Sequence, residues 1–175
     1  MKKTRSFLLA AGIVLAMAFT FSCSSDDGNN EPKPYVNAEF SVVPPESWQV
    51  VDYPGLKYKV FMGPRENGAT PNINFADEIY NGSLDDYVDL NVEALKKYLG
   101  DVEIIYRGSF VTLKNLESKK IIAITEQQGY LLRQSLYFFP GENGLKMAVA
   151  CTALASSGEK YDRIFDDSMK TFEWN

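Results

Sequence analysis

The chain has 175 residues, a formal net charge of −5 and no histidine. An acidic chain repels phosphate groups, which argues against nucleic acid as a partner. The lack of imidazole excludes Ser-His and Cys-His nucleophile activation and histidine-based metal sites, whereas chemistry based on carboxylates, tyrosine or lysine stays open.

Residues 1–22 have the pattern of a secretory signal peptide. A basic start, with Lys2, Lys3 and Arg5, precedes an apolar run from Phe7 to Phe21. That run has about 15 residues, fewer than the roughly 20 that a membrane-spanning helix needs. We therefore expect a removable export signal rather than a permanent transmembrane helix.

Cys23 lies where this signal ends, and its position resembles the lipobox of bacterial lipoproteins, whose cysteine receives diacylglycerol and becomes the new N-terminus. The alternative is a disulfide with Cys151, the other cysteine of the chain, in an oxidising compartment. Thr20 and Phe21 depart from the usual lipobox, which has an aliphatic and a small residue there. Because Cys23 lies where the signal ends, we predict lipid attachment there. Acyl chains gain about 0.8 kcal/mol per buried methylene, so several chains would hold the protein firmly.

Residues 23–35 are predicted to form a flexible, lipidated tether. The segment is poor in apolar residues and so has little to offset the entropy cost of ordering. Ser25, Asp26 and Asp27 resemble the signal that sends some lipoproteins to the outer face of a Gram-negative outer membrane. The composition changes near Val36, and we predict a single domain over residues 36–175.

The first part of that domain has four short apolar runs that predict strands. Two of them, around Phe40 to Val42 and Trp48 to Val50, flank a Pro-Pro turn. The other two are Leu56 to Met62, which alternates before Gly-Pro, and residues 71–75, in which apolar and asparagine side chains alternate.

The next segment predicts a helix over residues 84–99. Ser83 followed by Asp86 resembles a capping box, and apolar residues then recur at helical spacing up to Gly100. Four β-branched or aromatic runs follow, and they predict strands over residues 102–113, 120–126, 130–139 and 145–153.

A second amphipathic helix is predicted near the end of the sequence. Ser156 with Glu159 resembles another capping box, and apolar residues at helical spacing run from Tyr161 to Phe172. Runs of strands with two helices favour an α+β domain whose sheet is mainly antiparallel, with about six to eight strands, since parallel strands would need crossovers. A domain of this size folds without metal or disulfide, so we expect no cofactor.

Four segments resemble the PsbP/Mog1-like domains and their bacterial lipoprotein relatives: residues 40–44 with Trp48, residues 71–74, residues 83–87 and residues 161–172. The resemblance covers nearly the whole predicted domain and implies an α/β/α sandwich. The family includes photosystem subunits, a nuclear-transport GTPase cofactor and many lipoproteins. It therefore implies a non-enzymatic interaction scaffold, with no catalytic motif to carry over.

Three features contain residues that could serve in catalysis or metal binding. Cys151 shares the apolar face of an alternating run, which predicts an inert core thiol. Asp85, Asp89 and Glu93 form a helical stripe that offers few converging ligands for Ca²⁺, so we predict no metal site and an ordinary Glu93 to Lys97 pair.

Asp162 and Asp166, with Asp167 beside them, are predicted to form a solvated stripe on the last helix. Two sequences typical of glycosylation, at residues 81–83 and 167–169, are better explained by helix capping at Ser83 and by burial of Ser168.

The sequence therefore predicts a lipid-anchored envelope module that binds or assembles with an envelope protein or glycan. It would contact the membrane through its N-terminal lipid and lie at the outer membrane, where it can be exposed on the cell surface. No binding or catalytic residue is assigned. Two alternatives stay open: an enzyme that uses carboxylates or tyrosine on surface glycans, and a passive structural lipoprotein.

Overall fold

The structure is a computed structural model that describes residues 33–175. Its main element is a seven-stranded sheet, in the order β3-β4-β5-β9-β8-β7-β6, and every neighbouring pair is antiparallel. The strands of this sheet are β3 (Gln49–Val51), β4 (Val60–Met62), β5 (Asn72–Ile79), β6 (Val102–Val111), β7 (Glu117–Gln127), β8 (Tyr130–Pro140) and β9 (Leu145–Leu154).

A second, three-stranded sheet joins residues from both ends of the described segment. Its strands are β1 (Tyr35–Val36), β2 (Phe40–Val42) and β10 (Glu173–Trp174), with β2 in the middle. Tyr35, the last residue assigned to the tether from the sequence, already lies in β1 and packs edge-on against Phe40 and Phe61.

Helix α1 (Leu84–Leu99) has the bounds that the sequence predicts. Ser83 Oγ accepts a hydrogen bond from the Asp86 backbone N–H, and the Asp86 carboxylate accepts one from the Ser83 N–H, which forms the expected capping box. Gly100 ends the helix at a positive φ of 79°, a conformation that glycine adopts without strain.

Helix α2 (Gly158–Met169) begins differently from the prediction. A 3₁₀ turn over Ala155–Ser157 precedes it, and its N-cap residue, Ser157, makes no side-chain capping bond. The capping box predicted at Ser156 and Glu159 is therefore wrong. The helix also ends before Phe172, which is fully buried beyond it.

The two helices lie on opposite faces of the large sheet. Successive side chains of β8 alternate between these faces and pack in two different hydrophobic cores. Leu136 and Phe138 pack with α1, whereas Tyr137 and Phe139 pack with α2 and the small sheet. The α+β class and the α/β/α layering predicted from the sequence are confirmed.

All eight predicted strands form, with changed bounds, and two short strands, β1 and β10, were not predicted. The run from Leu56 to Met62 forms a strand only over Val60–Met62, and the second run is shifted to Gln49–Val51. No helix within residues 33–175 combines the length and the apolarity needed to cross a membrane.

Candidate binding surface

A partly buried ionic cluster lies between α2 and the sheet. The Lys120 ammonium, on β7, lies 2.6 Å from an Asp166 carboxylate oxygen on α2, and the Tyr137 hydroxyl donates a 2.6 Å hydrogen bond to the same oxygen. Burial first, and then neighbouring negative charge, raises the pKa of the Tyr137 phenol. The phenol therefore stays protonated and acts as a donor.

A second pair lies one turn earlier on α2. The Arg133 guanidinium binds the Asp162 carboxylate through both oxygens, and Ser135 Oγ donates a 3.0 Å hydrogen bond to it. The hydrogen bonds that Arg133 donates to the Asp162 carboxylate raise the pKa of Arg133. Asp162 and Asp166 thus fasten α2 to the sheet, and the prediction of a solvated stripe is wrong for both.

Asp167, the third acidic residue of this group, is exposed and lies 3.5 Å from Lys170. A helix turns about 100° per residue, so Asp167 points away from the sheet while Asp166 points toward it. The predicted solvated position is therefore correct for Asp167.

Cys151 lies on the α2 side of β9 and is fully buried. Burial raises the pKa of its thiol well above the ordinary value, and the nearby Lys120 cation only partly offsets this. Because the thiolate is the nucleophilic form, the thiol is unreactive in the folded domain. The prediction of a core thiol is confirmed.

The acidic stripe on α1 is engaged by the neighbouring strands. Asp85 pairs with Lys119 at 2.9 Å, and Asp89 pairs with Arg107. The predicted pair between Glu93 and Lys97 does not form. In residues 33–175, no three cysteine or carboxylate side chains converge as metal ligands do.

The two sequences typical of glycosylation both have structural roles. Ser83 caps α1, and Ser168 is buried, with its Oγ donating a 2.6 Å hydrogen bond to the Val43 carbonyl. Cys23, the predicted lipid attachment site, lies outside the described residues.

The most unusual exposed feature is strand β6. It is an edge strand of ten residues that pairs with β7 on one side only, whereas the opposite edge strand, β3, has three residues. Ile105, Tyr106 and Val111 are large apolar side chains of β6 that are 42%, 45% and 49% exposed. Soluble proteins usually protect a long edge with charge, proline or a cover.

A groove of about 340 Å³ begins at this edge and crosses to β8. Its lining includes three acidic side chains, Asp101, Glu103 and Glu126, together with Ile124 and the exposed Leu131. None of the three carboxylates forms an ion pair with another residue of the described chain. We call these residues, with Val102 and Thr125, the acidic groove.

The groove lies beside α2 on the face that this helix leaves open. Lys120 on β7 and Arg133 on β8 both reach α2, so alternation places Ile124, Glu126 and Leu131 on the same face. The helix packs over β8 and β9. The side chains that β7 and β6 present farther out are therefore accessible.

No residue of this surface is predicted as a binding residue from the sequence. One signal was present: Ile104, Ile105 and Tyr106 are three consecutive apolar residues in a strand, where strict alternation buries only every second one. The structure accommodates them with a bulge between Ile104 and Tyr106 that leaves Ile105 outside the core.

Comparison with known proteins gives likeness of structure without likeness of sequence. Neither a family model nor a curated protein matches the sequence. A solved structure of cyanobacterial PsbP (CyanoP) from Synechocystis sp. PCC 6803 matches with a TM-score of 0.64 at 14% identity, covering 89% of this chain and 98% of that one.

Two further solved structures are similar. LpqN of Mycobacterium tuberculosis, which is involved in cell envelope biogenesis, has a TM-score of 0.59 at 12% identity and covers 83% of this chain and 86% of its own. PA94 of Pseudomonas aeruginosa, a protein of unknown function, has a TM-score of 0.58 at 14% identity, with coverages of 81% and 96%. These likenesses confirm the predicted PsbP/Mog1-like fold, and fold alone does not fix function.

Proposed function

We propose that this chain, whose domain has the PsbP/Mog1-like fold, is a lipid-anchored, non-enzymatic module that binds or assembles with another component of the cell envelope. The observation that carries the binding role is the β6 edge, where the exposed apolar side chains of Ile105 and Tyr106 lie next to an open acidic groove. Concentrated apolar exposure on a folded domain marks an interaction site.

The ionisable groups that were candidates for catalysis pair with other residues of the domain or are buried, and this supports a binding role over a catalytic one. Asp162 and Asp166 neutralise cations from the sheet, and Cys151 is buried as a neutral thiol. A catalytic acid or base needs an accessible group with a matched pKa, and these groups are held for structure instead.

Anchoring is the second part of the proposal. The signal-like residues 1–22 and the position of Cys23 support lipid attachment, and Asp26 and Asp27 support an outer-membrane location. LpqN, a structural neighbour involved in cell envelope biogenesis, supports the same compartment. A partner in the envelope, protein or glycan, would then lie within reach of the tethered domain.

Intact mass of the membrane-extracted protein tests the anchor. We expect a mass that corresponds to cleavage before Cys23 plus diacylglycerol, and we expect Cys23→Ser to move the chain out of the membrane fraction. A Cys23→Ser variant that stays in the membrane fraction as fully as the native chain would contradict anchoring through this residue.

Crosslinking in intact cells with a photoreactive reagent that inserts into C–H and O–H bonds of proteins and glycans alike tests the binding role without assuming which surface is used. We expect a reproducible adduct with one envelope component, and we expect the adduct to weaken in Cys23→Ser, which no longer holds the domain at the membrane. Repeated recovery of the uncrosslinked chain alone would remove the support for a binding function.

A further inference from the structure

We propose that the β6 edge accepts an extended, basic strand of a partner polypeptide, which adds to the large sheet and places lysine or arginine side chains in the acidic groove. The inference rests on the proposed binding function and deepens it by naming the class of partner. It follows from the backbone, the apolar side chains and the charge of this surface taken together.

The backbone specifies the conformation of the partner. Strand β6 pairs only with β7, so the N–H and C=O groups on its other side have no ladder partner. A second β-strand is the structure that satisfies such a row of groups in register. At the opposite edge, β3 has three residues and offers few such groups.

The bulge between Ile104 and Tyr106 decides where a strand can add. A bulge breaks the regular ladder, which keeps the full length of β6 from pairing with any passing edge. The bulge divides β6 into two regular segments, Val102–Ile104 and Tyr106–Val111. A partner strand that reaches the acidic groove pairs with Val102–Ile104, the segment that borders it.

The apolar side chains supply the driving force. Four of the eight large apolar side chains exposed in residues 33–175 lie on β6 or in the groove: Ile105, Tyr106, Val111 and Leu131. A strand added to β6 lies about 4.8 Å from it, so the side chains that it presents on the α2 face can cover Tyr106, whereas Leu131 lies two strands farther in, on β8.

The charge of the groove specifies the chemistry of the partner. Asp101, Glu103 and Glu126 line it without a cation from the described chain. A strand with apolar residues alone would leave these carboxylates next to buried apolar surface, which is unfavourable. A lysine or arginine on the added strand can lay its apolar stem along Tyr106 and toward Ile124, with its charge beside the carboxylates.

Fluorescence anisotropy with a defined probe tests the inference on the full-length mature protein in detergent. The probe is a short acetylated peptide of alternating valine and lysine. Two matched peptides carry glutamate in place of lysine, or N-methyl groups on every second backbone amide. We expect saturable binding of the lysine probe, and binding about tenfold weaker, equivalent to about 1.4 kcal/mol, for each matched peptide.

Variants of the protein locate the site. We expect Ile105→Lys and Leu131→Lys to weaken binding of the probe about tenfold. Ile79→Lys is the control, because Ile79 is 64% exposed and lies on β5, away from the groove. All three positions are exposed, so the denaturation midpoint should stay close to that of the native chain, and the control should bind the probe as the native chain does.

A charge reversal gives a gain of binding as well as a loss. In the double variant Glu103→Lys and Glu126→Lys, we expect the preference to invert, so that the glutamate probe binds more tightly than the lysine probe. If the double variant still prefers the lysine probe, or if the native chain binds the N-methylated probe as tightly as the unmethylated one, the inference is overturned.

Sedimentation equilibrium covers the remaining occupant, a second copy of this chain. A dimer that dissociates in Ile105→Lys would show that β6 pairs with itself, and this result also overturns the inference. These failures differ from failure of the proposed function, because an envelope adduct in cells would stand even if the β6 edge bound no basic strand.

Discussion

Lys120 shows how a single acidic residue on α2 stabilises the fold. The lysine is nearly fully buried on β7, and its charge is matched by Asp166, which also accepts the hydroxyl hydrogen bond of Tyr137. Burying an ammonium without a counter-ion is costly, so the pair is needed once the lysine lies there. This stabilising pair depends on Asp166 alone, since its neighbour Asp167 is exposed and does not contact Lys120.

Asp166→Asn should lower the free energy of unfolding by about 2 kcal/mol, because Lys120 loses its counter-ion in a poorly hydrated site. Asp167→Asn removes the same charge one residue later, from an exposed position, and should change stability by less than about 0.5 kcal/mol. Urea denaturation of both variants measures the difference. Equal midpoints would show that the Lys120 pair contributes nothing to stability.

Cys151 should be unreactive in the folded protein. In Cys23→Ser it is the remaining cysteine, and burial both shields it and raises the pKa of its thiol. We expect Ellman's reagent at pH 8 to label it only after denaturant is added. Labelling of the native protein at the rate of a small free thiol would contradict the buried position.

At the scale of elements, the two helices illustrate when a sequence pattern is sufficient. The bounds of α1 could be predicted because Ser83, Asp86 and Gly100 give independent start and stop signals that act within a few residues. Ser156 and Glu159 have the same spacing, but a 3₁₀ turn occupies that position and delays α2. The pattern alone does not distinguish the two situations.

Alanine substitution at these serines tests the difference directly. Ser83→Ala should lower the free energy of unfolding by about 1 kcal/mol, because the backbone N–H of Asp86, in the first turn of α1, loses its acceptor. Ser156→Ala should cost much less, since no capping bond involves this side chain. Thermal denaturation of the two variants provides the comparison. Equal losses of stability would indicate that Ser156 makes a capping bond as Ser83 does.

The candidate binding surface could not be predicted at this scale. The apolar content of Val102–Val111 is enough to predict a strand, but whether that strand lies at an edge depends on which strands pair, and pairing is set by contacts far apart in sequence. The ion pairs of Asp162 and Asp166 could not be predicted for the same reason, because their cations lie on strands that are distant in sequence.

At the scale of the whole molecule, buried phenols link stability to pH. Burial raises the pKa of Tyr58 from 10.0 to about 12, and it also raises the pKa of Tyr87 and of Tyr137. The unfolded chain therefore loses these protons at lower pH than the folded chain. Stability is full below about pH 10 and falls as the pH rises toward the folded pKa values.

Guanidinium denaturation at a series of alkaline pH values measures this effect. We expect the midpoint to fall steadily above about pH 10, and we expect Tyr58→Phe to reduce the slope because it removes one of the shifted groups. A midpoint that stays constant to pH 12 in the native chain would contradict the burial of these phenols.

The small sheet has a consequence for how the protein is made. Strand β2 is completed by β10, which is synthesised after every other described strand and helix, and Asn175 adds a backbone hydrogen bond to Glu39. The aromatic side chains of Phe40 and Phe172 stack only when the two segments meet. The small sheet, and the ring stacking that joins it to the main core, can therefore form only after the last residues of the described segment have been synthesised.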